Sequence, residues 1–185
     1  MRILYTASEA LPYAASGGLA DVAGSLPAAL CKAGHDCRVV LPLYKSIKPE
    51  LRKDLRFLMN FTVDVGWRKQ YCGVFEGHAN NVTYYLLDNE YYYARDGLYG
   101  FYDDCERFVF LSRAVMELIR HIDWKPQIIN CNDWQTALVP VYYQTYYKYQ
   151  HGYEDIKTVF TIHNIQYQGK YGMDVLNEVM GIPMY

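Results

Sequence analysis

From Arg2 to Leu43 the apolar positions change period twice. Ile3, Leu4 and Tyr5 form a short continuous run that predicts a buried strand over Arg2 to Ser8. Val22, Leu26, Leu30 and Ala33 then recur at the spacing of one helical face and predict a helix from about Ala20 to Ala33. Gly34 offers its C′ stop, and Pro27 removes one helical hydrogen bond and predicts a bend. Cys37 to Leu43 is a second unbroken apolar run, as expected for a strand covered on both faces of a parallel sheet.

Beyond the polar link from Lys45 to Arg56 the pattern changes. Phe57 to Val65, Tyr71 to Glu76 and Val82 to Leu87 read as three strands, with turn signals at Gly66, Gly77 and Asn80-Asn81. No helix separates them, which predicts antiparallel hairpins inserted into an α/β frame. Asp88 to Tyr102 is aromatic and loop-like. Phe108, Leu111, Val115, Leu118 and Ile122 share one face of a helix from about Asp104 to Ile122. Gln127 to Cys131 is the next buried strand. Asn132 or Asp133 can then cap a helix running to about Tyr149, kinked at Pro140. Thr158 to Ile162 predicts another buried strand, followed by a loop and a short helix over roughly Asp174 to Met180.

Alternating strands and helices with a hairpin insertion predict an α/β fold: a Rossmann-like, doubly wound, mostly parallel sheet. Such sheets bind ligands beyond the carboxyl ends of the strands, at the switch point. Three polar pairs fall at predicted strand ends: Ser8-Glu9, Asn132-Asp133 and His163-Asn164. Between the first strand and helix lies Ala15-Ser16-Gly17-Gly18-Leu19-Ala20-Asp21-Val22. A glycine pair there lets a ligand approach backbone N–H groups at a helix N-terminus, an arrangement suited to an anion. The same glycines also suit a plain tight βα turn. They are adjacent rather than spaced as G-x-G-x-x-G, and the second strand ends without an acidic residue, which disfavours a nicotinamide dehydrogenase.

Composition narrows the function classes. Of 185 residues, 51% are hydrophobic and 21% charged, enough for one sizeable core. A net charge of -2 lacks the basic excess of a nucleic-acid or membrane-surface binder. No apolar run approaches the about 20 residues that cross a bilayer, and the strand at the start leaves no room for a signal peptide. The five cysteines form no CxxC pair, which suits reduced thiols in a cytoplasmic protein better than a metal site or disulfide framework. The 20 tyrosines cluster around Tyr91-Tyr92-Tyr93 and Tyr142-Tyr143, where aromatic faces suit either sugar rings or half-buried packing. His163 is a candidate to bond a substrate hydroxyl or a developing charge, or else a satisfied core histidine. Asp133 can orient a hydroxyl or cap a helix. Asp21 can face a ligand or interact with its helix dipole. No triad order or close carboxylate pair points to hydrolysis.

Four motifs in order carry a resemblance over essentially the whole chain. They are Ser8-Glu9, Pro12 and Ser16 to Val22; Leu87-Asp88-Asn89, Tyr92, Arg95 and Tyr99-Gly100; Asn132 to Ala137; and Thr161 to Gly169. The chain resembles bacterial glycogen synthases and plant starch synthases, which are ADP-glucose-dependent retaining glycosyltransferases. The resemblance implies the N-terminal half of a GT-B architecture. It also implies a reaction that adds α-1,4-linked glucose to a glucan end, with no metal ion and no cofactor. Its partners would be ADP-glucose and an α-glucan, glycogen or starch. By match, Ser16, Gly17 and Gly18 would approach the sugar and diphosphate. His163, with Asn164 beside it, would contact the donor glucose. Asp21, Asp133 and Tyr92 would line the sugar and acceptor side.

Two departures follow from the same match. The family pattern K-x-G-G-L puts its lysine at position 15, which is Ala15 here. A charge-assisted hydrogen bond contributes roughly 1.5–3 kcal/mol, so its loss predicts a donor-dependent rate lower by roughly ten- to a hundredfold. The family's second, nucleotide-binding domain is also expected beyond Tyr185. The 185-residue chain is therefore expected to lack synthase activity alone and to self-associate through an open sheet edge. Two alternatives are a non-catalytic glucan-binding fragment or degenerate homologue, and a GT-B transferase for another sugar nucleotide.

Overall fold

The computed structural model describes residues 1–183. In chain order its elements are β1 (Arg2–Thr6), α1 (Gly18–Lys32), β2 (Asp36–Pro42), α2 (Pro49–Arg52), β3 (Arg56–Val65), β4 (Arg68–Ala79), β5 (Val82–Asp88), α3 (Glu90–Tyr93), α4 (Asp104–His121), β6 (Ile128–Asn132), α5 (Leu138–Tyr142), β7 (Lys157–Thr161) and α6 (Val175–Glu178). A 3-10 turn at Trp134–Thr136 and a π turn at Tyr143–Tyr147 flank α5.

The seven strands form one sheet in the order β3-β4-β5-β2-β1-β6-β7. Every pairing from β5 through β7 is parallel, and β3 and β4 extend the sheet as antiparallel hairpins. The fold class expected from the sequence is therefore the one observed. The chain leaves β1 toward β2 on one side and later returns to β6 on the other. Right-handed crossovers in opposite directions put α1 on one face and α4 with α5 on the opposite face. The strand order reverses between β1 and β6, and that is the switch point.

The local signals explain most element boundaries. After α1, Gly34 takes φ 86, Gly34 N donates to Cys31 O at 3.0 Å and His35 N donates to Leu30 O at 3.1 Å. That is a Schellman ending. Asn80 and Asn81, at φ 50 and 63, make the two-residue turn between β4 and β5. Central strands are apolar throughout: Val39, Val40, Leu41, Leu86 and Leu87 are fully buried. Helix α4 buries Phe108, Phe110, Leu111, Val115 and Leu118 among its core residues.

Three expectations need correction. Gly77 is not a turn: β4 runs through it, and a Cβ there would collide with the Tyr13 hydroxyl and with Leu55. The helix expected from position 133 to Tyr149 is broken. Pro140, which has no N–H to donate, falls in the first turn of α5, where none is needed, whereas Pro27 lies inside α1 as expected. Strand β7 is not buried: Val159 is 45% and Phe160 44% exposed, with Ile162 just beyond it at 53%. It lies at the sheet edge and, among the described residues, pairs only with β6.

Candidate active site at the switch point

The carboxyl ends of β1, β6 and β7 are adjacent, and their polar pairs meet there. Each is held by a specific bond. Asp133 follows β6 and takes φ 57 and ψ 178, a conformation that non-glycine residues rarely hold. Its N–H donates to Thr161 O at 2.9 Å. Its carboxylate Oδ1 accepts the backbone N–H of His163 at 2.7 Å and of Asn164 at 3.3 Å. Asp133 thus ties the end of β6 to the segment after β7. It does not cap a helix, because its side chain makes no such bond.

Asn132, 1% exposed, holds the His163 ring: its Oδ1 lies 2.8 Å from His163 Nε2. The Asn132 amide nitrogen donates to Thr6 O at 3.0 Å and to Asn130 Oδ1 at 2.8 Å. The side chains of His163 and Asn164 are exposed at this edge. His163 is therefore fixed in backbone and ring while remaining accessible, which excludes the buried core histidine.

Glycine loop and helix N-terminus form the neighbouring wall. Ala15, Ser16, Gly17 and Gly18 are exposed. Gly17 is the extended N-cap of α1 and gives no side-chain cap; Ala20 N donates to Gly17 O at 3.2 Å, and among the described residues the N–H groups of Gly18 and Leu19 have no partner. Glu9, 3% exposed, accepts the Ser16 N–H through Oε2 and lies beside Gly17, where a Cβ would sit 3.8 Å from Oε1. Leu11 N donates to Ala20 O at 3.1 Å, which pins the loop to α1. Gly24 permits this approach, because a Cβ there would meet Leu11 Cβ at 2.8 Å. Asp21 is exposed in the first turn of α1.

Tyr99 joins these walls. Its hydroxyl lies 2.7 Å from Ser8 Oγ, and Tyr44 Oη donates to Ser8 O at 2.8 Å. Desolvation first, then the nearby Glu9 charge, holds the Tyr99 phenol well above its ordinary pKa, so it stays neutral at physiological pH. The Tyr99 segment is anchored by Arg107, fully buried in α4. Its Nε donates to Tyr92 O at 2.8 Å, and its Nη1 to Leu98 O at 3.0 Å and Asp104 Oδ1 at 2.6 Å.

Of the residues read as site candidates, the fold brings Ser16, Gly17, Gly18, Asp133, His163 and Asn164 to one edge, with Ala15 and Asp21 exposed on the loop and its helix. It does not bring Tyr92, which is fully buried. The Tyr92 ring packs 5.0 Å from Phe110, and its hydroxyl donates to Glu106 at 2.5 Å. The exposed member of that cluster is Tyr91. Glu9 and Asn132 were placed at this edge by the sequence but given no role, and Tyr99 and Arg107 were not read as site residues. Tyr99 lies inside a quoted motif, whereas Arg107 carried no signal beyond a charge on a helix with an apolar face. Among the described residues no group of three or more His, Cys, Asp or Glu side chains is placed to hold a metal ion.

A doubly wound sheet with an open glycine loop and an anchored, exposed histidine at its switch point is an arrangement that can receive an anionic, hydroxyl-bearing ligand. Comparisons with known proteins give the particular family. The model of the starch synthase catalytic domain matches residues 2–185. The glycogen synthase of Clostridium botulinum (strain Alaska E43 / Type E3) is 53% identical over 182 residues, covering 98% of this chain and 38% of that protein. The glycogen synthase of Geobacillus stearothermophilus is 47% identical over 182 residues, with the same coverage. The catalytic domain of starch synthase IV from Arabidopsis thaliana, bound to ADP and acarbose, superposes with a TM-score of 0.89 at 31% identity. That match covers 96% of this chain and 36% of that one. The chain belongs to the starch synthase catalytic domain family, and it spans about 38% of the length of the curated relatives it matches.

Proposed function

We propose that this chain is the N-terminal wall of a cytoplasmic, retaining glucosyltransferase that passes glucose from ADP-glucose to the non-reducing end of an α-1,4-glucan. A second GT-B domain would carry most of the nucleotide. The observation that carries the reading is the convergence of the Gly17-Gly18 loop with the anchored His163 at the switch point. In this reading, backbone N–H groups at Gly17, Gly18 and the start of α1 face the diphosphate, where developing negative charge is stabilised. His163 bonds a hydroxyl of the donor glucose. Asp133 keeps the His163 and Asn164 backbone in place, and Asp21 borders the sugar side. ADP-glucose is a substrate, and no cofactor is called for. The ADP and acarbose bound by the plant relative support an adenine nucleotide donor and an oligosaccharide acceptor.

The test is a chimera joining residues 1–185 to the remaining C-terminal part of the Clostridium botulinum glycogen synthase. The chimera should elongate glycogen from ADP-glucose, His163→Ala should abolish most of that rate, and the 185-residue chain alone should give none. A folded but inactive chimera would refute the reading. Ala15, lacking the family's cation, favours a second reading as a non-catalytic glucan-binding homologue. Glycogen retardation in a native gel by a chimera with no transfer would select it.

A further inference from the structure

We propose that Asn132 is a positioning residue that sets the tautomer of His163, leaving Nδ1 as a hydrogen-bond acceptor for substrate. The orientation of the Asn132 amide is over-determined. Its nitrogen faces only acceptors: Thr6 O at 3.0 Å, Asn130 Oδ1 at 2.8 Å and Asn130 O at 3.3 Å. Its oxygen must therefore be the atom 2.8 Å from His163 Nε2. An amide oxygen only accepts, so Nε2 carries the proton, and in a neutral imidazole Nδ1 is then bare. Among the described residues Nδ1 has no hydrogen-bond partner, while the His163 N–H is held by Asp133 Oδ1 at 2.7 Å. Ring and backbone are thus fixed from two successive residues at the end of β6, and the free nitrogen can accept from a hydroxyl. The opposite tautomer would turn Nδ1 into a donor and set two lone pairs against each other at Asn132. That a glucose hydroxyl uses this nitrogen rests on the synthase reading, but the tautomer itself does not.

The test is long-range proton–nitrogen correlation on the chain carrying isotope-labelled histidine, at a pH where the ring is neutral. His163 is assigned by loss of its signals in His163→Gln. The parent should show a pyrrole-type Nε2 with an exchange-protected ring N–H and a pyridine-type Nδ1. In Asn132→Leu the protected N–H should vanish, and the separation between the two nitrogens should shrink toward that of free imidazole. Asn130→Ala leaves Thr6 O holding the amide and should keep the parental pattern. A ring N–H on Nδ1, no protected N–H in the parent, or an unchanged pattern in Asn132→Leu would overturn the proposal. Should Asn132→Leu not fold, the parental N–H decides the matter. No nucleotide sugar is needed, so this readout stands or falls separately from the synthase reading.

Discussion

Asp133 combines a strained backbone with a structural carboxylate, and three substitutions separate the two. In Asp133→Ala the strain at φ 57, ψ 178 remains and both acceptor bonds, to His163 N at 2.7 Å and Asn164 N at 3.3 Å, are lost. A hydrogen bond to a charged group contributes about 1.5–3 kcal/mol. The longer bond is weaker, and both N–H groups border solvent and can be rehydrated, so the expected loss is about 2–4 kcal/mol. Asp133→Gly loses the same bonds but relieves about 1–3 kcal/mol of backbone strain, against a glycine cost of roughly 0.5–1 kcal/mol. It should therefore be about 1 kcal/mol more stable than the alanine variant. Asp133→Asn keeps an oxygen acceptor and loses only the charge assistance, about 1 kcal/mol. Urea unfolding followed by tryptophan fluorescence, with Trp134 next in sequence as reporter, gives the order parent, Asn, Gly, Ala. Glycine no more stable than alanine would refute the strain argument. Asparagine as unstable as alanine would refute the carboxylate's role as a tie between β6 and β7.

Other consequences can be measured on the same protein. Tyr92→Phe should lower stability by about 1–3 kcal/mol through loss of the bond to Glu106, yet leave glycogen retardation in a native gel unchanged; altered retardation would return Tyr92 to the glucan surface. Burial, and then Glu90, raises the Asp88 carboxyl pKa above its ordinary value despite Arg52. The folded state therefore binds the proton more tightly, and this site costs stability once pH rises through the unfolded and folded pKa values. Asp88→Asn should raise the urea midpoint at pH 7 and not at pH 3; an equal gain at both would contradict that sign. The unpaired edge of β7, with Val159, Phe160 and Ile162 exposed, should give concentration-dependent self-association in light scattering. A monomer at every concentration would count against it.

The parallel core was legible in Cys37 to Leu43, because a strand buried on both faces needs an unbroken apolar run; Val82 to Leu87 was expected only as a hairpin strand, yet it pairs antiparallel with β4 and parallel with β2. The candidate site was legible where residue chemistry and position coincide. Glycines before a helix and polar pairs after strands have few places to go in a doubly wound sheet. What escaped the reading was decided by neighbours distant in sequence. Gly77 looks like a turn until Tyr13 and Leu55 close over it. Tyr92 looks like its neighbour Tyr91, and only the packing of α4 separates a core ring from an exposed one. Asp133 has the chemistry of an N-cap, but the backbone after β7 offers its carboxylate two N–H groups first. The apolar run of β7 promised burial, yet an edge strand is covered only by what packs beyond it.

The central claim is that the Gly17-Gly18 loop faces a nucleotide diphosphate, and Ala15 gives the most direct access to it. Among the described residues no lysine or arginine bonds to residues 14–18, so no cation already fills that role through a hydrogen bond. Ala15→Lys in the chimera adds one charge-assisted contact of roughly 1.5–3 kcal/mol. The account predicts that kcat/KM for ADP-glucose rises by roughly ten- to a hundredfold, while the dependence on glycogen concentration stays the same. An unchanged or lower kcat/KM, with the chimera intact, would contradict the placement of this loop against the donor.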